Sequence, residues 1–204
     1  MNMDVKQIPN YLTVFRLVLI PVLIMSFYIP GMVANLVAAF LFALAAITDY
    51  FDGYFARSLH AESNFGRCLD PIADKLLVIV AIVMLVNFSE QNLYILIPGL
   101  IIISREVLVS GLREFLAEFS VSVPVSKLAK WKTAVQMVAI TGLLLGENGS
   151  SYTLYYLLSG WKEMGLKFVI VDFVVFASQI LFAISAVLTV ITGFAYFRAG
   201  IKKM

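Results

Sequence analysis

Six long apolar runs, broken by short polar interruptions, organise this chain. Each run is too long for a strand, so each reads as a helix. The predicted spans cover residues 12–29, 32–55, 71–88, 93–119, 126–145 and 168–197. Polar positions gather at particular helix ends. Asp49 and Asp52 occupy the last turns of the second span, and Asp70 and Asp74 flank the start of the third. The purely apolar part of the fourth runs only from Leu93 to Ile103, 11 residues, before Ser104-Arg105-Glu106, Arg113 and Glu114. Pro124 breaks the chain, and the fifth span opens with Lys127, Lys130 and Lys132. Residues 1–10 form a polar lead without the pattern of a cleaved leader. The stretch 146–165 carries Tyr152, Tyr155, Tyr156 and Trp161, residues suited to the headgroup level.

Composition turns these helices into spans. The chain is 61% hydrophobic and 14% charged, with mean hydropathy +0.94; a soluble domain carries about 25% charged residues. The expected fold class is an all-α integral membrane protein with six transmembrane helices, forming a single domain over 1–204. No nucleic-acid partner is expected; membrane lipids are. Only Lys162 and Lys167 of the 15 Lys and Arg fall at one set of helix ends. The positive-inside rule makes the other set cytoplasmic, with both termini and the aspartates. The single Cys68 excludes an internal disulfide and reads as a small buried residue, and His60 reads as a solvated loop residue. The net charge of +2 decides nothing.

A spanning helix needs about 20 apolar residues, and charge at depth is costly unless it faces a polar cavity. Apolar outer halves and charged inner halves therefore predict one cytosol-facing polar cavity. A cation-coupled transporter is the rival reading, although polar groups near the midplane would suit it better.

The cavity's chemistry is read from the aspartates. Asp49 and Asp52 are three residues apart and Asp70 and Asp74 four apart, so each pair shares a helix face. Asp70-Pro71 also has the form of an N-cap followed by proline at N1. Four converging carboxylates repel unless cations neutralise them, and hard oxygen ligands suit two Mg²⁺ or Mn²⁺ ions, which can activate phosphate groups. Gly53 and Gly66 serve either close helix packing or the approach of a ligand. Arg57 offers a phosphate-binding fork. The second charged cluster, Arg105, Arg113, Lys127, Lys130 and Lys132, suits a phosphorylated acceptor; for the lysines, topology alone is the competing explanation. Glu114 and Glu118 are expected to face solvent, Trp131 to anchor at the interface, and Asp172 has no assigned role.

The full pattern, Asp49-x2-Asp52-Gly53-x2-Ala56-Arg57-x8-Gly66-x3-Asp70-x3-Asp74, closely resembles the signature of the CDP-alcohol phosphotransferases. The resemblance implies that fold, a metal-dependent attack of an alcohol on the β-phosphorus of a CDP-linked lipid, and release of CMP. It implies metal ligation by Asp49, Asp52 and Asp70, with Asp74 as general base that also touches the second ion. Gly53, Ala56, Arg57, Ser63 and Gly66 correspond to positions around the CDP moiety. Further stretches, Pro9-Asn10-x-Leu12-Thr13-x2-Arg16, Ser104-Arg105-Glu106 with Arg113, and Lys130-x-Lys132-Thr133-Ala134 with Gln136-Met137, resemble one bacterial branch. That branch joins CDP-diacylglycerol to sn-glycerol 3-phosphate in the cytoplasmic membrane. The likeness implies CDP-diacylglycerol contact at Thr13 and acceptor-phosphate contact at Arg105, Arg113, Lys130 and Lys132. It further implies a homodimer. Inositol phosphate or serine are the alternative acceptors.

Overall fold

The computed structural model describes the backbone over residues 8–29, 32–59, 64–89, 92–119, 127–146 and 166–201. Its side chains are described over 11–29, 33–49, 69–89, 92–117, 119, 128–146, 171 and 173–200. All regular structure among the described residues is helical: α1 (Ile8–Ser26), α2 (Met32–Leu59), α3 (Asn64–Phe88), α4 (Leu93–Glu118), α5 (Lys127–Leu144) and α6 (Leu166–Ile201). Each predicted span falls on one helix. Among the described residues, two stretches, Leu93–Ala117 and Phe173–Gly200, are long and apolar enough to cross a membrane. Shorter apolar helices cover Tyr11–Ser26 and Val33–Asp49.

The largest departure from the predicted boundaries is at the start of α3. α3 begins at Asn64, so Pro71 lies inside the helix rather than at its first position. Asp70 is therefore an interior residue of α3 and not its cap. A proline inside a helix removes one backbone hydrogen bond; here the helix continues through it, as α1 does through Pro21 and α4 through Pro98. α2 runs to Leu59, past the predicted end of the second span at 55.

The chain divides into two compact units, Met1–Met84 and Leu85–Met204. In the first, α1 packs on α2. Ala34, Ala38, Phe42 and Ala45 recur at helical spacing on α2 and are all buried, as are Leu19 and Leu23 on α1. Alanines allow the close backbone approach that stabilises helix pairs where hydrophobic exclusion is weak.

In the second unit, α6 packs against both α4 and α5. Its fit to α5 depends on Gly142: a Cβ there would lie 1.9 Å from Ser178 Oγ and 2.9 Å from Ser178 Cβ. Gly146 is similarly confined, with a Cβ placed 2.6 Å from a Val175 methyl. Three of the buried hydroxyls along α6 are returned to their own helix, whereas that of Thr189 has no hydrogen-bond partner among the described residues. Ser178 donates to the Val174 carbonyl at 2.7 Å, Ser185 to Phe182 at 2.8 Å and Thr192 to Leu188 at 2.8 Å. These bonds let polar residues sit in an apolar interior without an unmade hydrogen bond. The outer faces carry large apolar side chains, Leu108 and Phe194 among them. An apolar exterior of this extent is rare in soluble monomers and matches a lipid-facing surface.

Candidate active site

Three helices of the first unit bring one cation and two carboxylates together. Arg16 on α1 is 1% exposed. Its Nη1 donates to Asp49 Oδ1 on α2, and its Nη2 lies 3.4 Å from Asp70 Oδ1 on α3. Thr13, one turn before Arg16, donates its hydroxyl to the same Asp70 oxygen. The two carboxylate side chains are 40% and 36% exposed. The guanidinium is thus sealed beneath two acids that stay open on their far side.

Asp74 is half-buried one turn beyond Asp70 on α3, and residues four apart share a helix face. Asp52, Gly53, Ala56 and Arg57 lie on α2 and Gly66 on α3, but their side chains fall outside the described residues, as does Ser63 altogether. Among the described residues no three His, Cys, Asp or Glu side chains converge as a metal site. The donor set nevertheless fits a hard cation: partly exposed carboxylates on neighbouring helices offer oxygen ligands of the kind Mg²⁺ and Mn²⁺ prefer.

Arg16 is the residue the sequence pattern underrated. It entered only as part of the Thr13-x2-Arg16 stretch, yet it is the group around which the aspartates gather. Its separations of 33 and 54 residues from its partners leave no local periodicity to reveal them.

A second constellation lies within the other unit. Glu106 on α4 sits 3.3 Å from Arg105 Nη1 and also accepts from Lys132 Nζ on α5. Lys132 and Arg105 have side chains 3% and 14% exposed. Arg105 Nη2 donates to Thr192 Oγ1 on α6 at 3.1 Å. Arg113 Nη2 donates to Tyr196 Oη at 3.4 Å. Both guanidiniums face the Tyr196 ring, at 5.9 Å for Arg105 and 5.6 Å for Arg113. Arg105 and Lys132 flank the one carboxylate of Glu106, and Arg113 joins Arg105 on Tyr196, so the cluster is net positive, as an anion site requires.

Of the predicted acceptor residues, Arg105, Arg113 and Lys132 are thereby brought together. Lys130 is exposed while Lys132 is buried. Two residues along a helix is about 200° of rotation, so the pair occupies opposite faces of α5. Glu106 was visible in the sequence only as Arg105's neighbour. Glu114 is exposed as expected, and the Glu118 side chain lies outside the described residues. Trp131 is 70% exposed.

The helices, the aspartate cluster and its spacing define the class. This chain belongs to the CDP-alcohol phosphatidyltransferase family, whose model matches residues 6–191. Within that family it is similar to the CDP-diacylglycerol–glycerol-3-phosphate 3-phosphatidyltransferase of Rickettsia bellii, at 48% identity over 194 residues, 95% of each chain. Proteins of the same name from Cereibacter sphaeroides and Pseudomonas fluorescens are 51% identical over 141 residues and 45% identical over 155. These matches cover 69% and 74% of this chain, and 64% and 78% of the relatives. The resemblance drawn from the aspartate pattern is borne out.

Proposed function

We propose that this chain transfers the phosphatidyl group of CDP-diacylglycerol to sn-glycerol 3-phosphate, giving phosphatidylglycerol phosphate and CMP. The observation that carries the reading is the 48% identity, over 95% of both chains, to a protein named for that reaction. The acceptor hydroxyl attacks the β-phosphorus, a P–O bond to the glycerol forms, and the P–O bond to CMP breaks. The hydroxyl proton passes to a carboxylate, a role that falls to Asp74.

Asp49, Asp52, Asp70 and Asp74 would hold two Mg²⁺ or Mn²⁺ ions, which neutralise the diphosphate when bound. Arg16 holds Asp49 and Asp70 in place from below, and Thr13 fixes the Asp70 oxygen. Gly53, Ala56, Arg57, Ser63 and Gly66 are assigned to the CDP moiety by their match to the family pattern. Arg105, Arg113 and Lys132 supply positive charge for the acceptor's phosphate, whereas Lys130, on the opposite face of α5, adds only to the long-range positive potential. Arginine suits this task through its bidentate fork.

We read the chain as one membrane domain of six spans, with both termini and the aspartates on the cytoplasmic side of a bacterial inner membrane. The family model's extent over 6–191 supports the single domain. The chain is expected to work as a homodimer.

The deciding experiment supplies purified protein with CDP-diacylglycerol, divalent metal and a panel of acceptors. CMP release should require glycerol 3-phosphate. Equal rates with glycerol, inositol or serine would sink the acceptor assignment, and no CMP with any acceptor would sink the enzyme.

A further inference from the structure

Arg105 and Arg113 are eight residues apart on α4, about two turns or 12 Å of rise. Their guanidiniums nonetheless converge on a single α6 side chain. Tyr196 is 6% exposed, takes one guanidinium at 5.9 Å and the other at 5.6 Å, and accepts a hydrogen bond from the second. One turn earlier, Thr192 donates its hydroxyl proton to the Leu188 carbonyl, which turns its oxygen lone pairs towards Arg105. Gly193 completes the enclosure, since a Cβ there would stand 3.0 Å from Arg105 Cγ. Two like charges brought to one place repel. The negative face of an aromatic ring is the element here that attracts both.

We propose that Tyr196, assisted by Thr192, is a positioning residue that sets the spacing and direction of Arg105 and Arg113 for an incoming phosphomonoester. This rests on the acceptor-phosphate reading of those two arginines. Tyr196 touches no substrate. It acts by holding a pair of cations that would otherwise spread apart and lose their common aim.

The test measures separate KM values for glycerol 3-phosphate and CDP-diacylglycerol. Tyr196→Leu should raise the acceptor KM about three- to thirty-fold, the range expected when such contacts are lost, with the donor KM unchanged. Tyr196→Phe keeps the ring and loses only a long hydrogen bond, so it should restore most of the acceptor affinity. Thr192→Val, nearly isosteric, should shift the acceptor KM in the same direction by less. Arg113→Ala separates the two levels of the argument. If it leaves the acceptor KM unmoved, the phosphate reading falls. If it raises that KM while Tyr196→Leu does not, the positioning role alone is overturned. Both KM values rising together in Tyr196→Leu, or a loss confined to kcat, also overturns it. Should Tyr196→Leu fail to fold, an unchanged acceptor KM in Thr192→Val decides against the proposal.

Discussion

Arg16 and Asp70 lie 54 positions apart in the chain, yet the arginine's Nη2 stands 3.4 Å from the aspartate's Oδ1, and Asp49 takes the other amino group of the same guanidinium. A cation 1% exposed beneath two half-open acids is both a strut and a local counter-charge. It lets carboxylates from two helices approach before any metal arrives.

Replacing Arg16 with alanine leaves the carboxylates facing each other without compensation. Losing one partner of a fully buried ion pair costs roughly 3–5 kcal/mol. Because both acids are more than one-third exposed, solvent screening brings the expectation to about 1–3 kcal/mol. Thermal unfolding in detergent should show the loss, and millimolar Mg²⁺ or Mn²⁺ should recover part of it. No recovery with metal would mean that the acids do not form a cation site.

Asp74→Asn preserves size and removes the proton-accepting charge. Turnover should drop about 10²- to 10⁴-fold, the usual worth of a general base, while the folded protein's melting temperature stays close to that of the parent. Near-normal CMP release from this variant would reassign the base.

Chelation should abolish CMP release, and added Mg²⁺ or Mn²⁺ should restore it, because paired carboxylates bring the diphosphate no positive charge of their own. Turnover persisting at full rate in excess chelator would remove the metals from the scheme.

Gly142→Ala should destabilise the second unit by about 1–3 kcal/mol, as over-packing a tight contact does. The added methyl would sit 1.9 Å from Ser178 Oγ. Combining it with Ser178→Ala removes that oxygen and should recover part of the loss, leaving the 2.9 Å approach to Cβ still to be relieved. Additive effects in the double variant, read from the same melting curves, would show that the two helices are not in register here.

Helix positions were largely legible because apolar runs of this length admit few alternatives. The start of α3 was not. Asp70-Pro71 has the form of a helix beginning, and the polar Asn64-to-Arg67 stretch gave no apolar periodicity to outweigh it, yet the helix already runs through both. Within the site, the grouping of Asp49 with Asp70 on neighbouring helices followed from spacing and charge. Their bond to Arg16 did not, since it joins helices rather than turns of one helix. Lys130 and Lys132 looked like a pair in sequence, but helical rotation separates them. Glu106, which neutralises part of the basic cluster, and Tyr196, which gathers two arginines, carry their meaning only once α4, α5 and α6 are packed.

The burial of Arg16 also bears on how the protein is made. Translation at about 5–20 residues per second delivers Asp49 33 residues and Asp70 54 residues after the arginine. For several seconds, then, the nascent first helix carries a charge whose partners have not left the ribosome. Arg16 therefore reaches its buried, paired state only after α3 has been made.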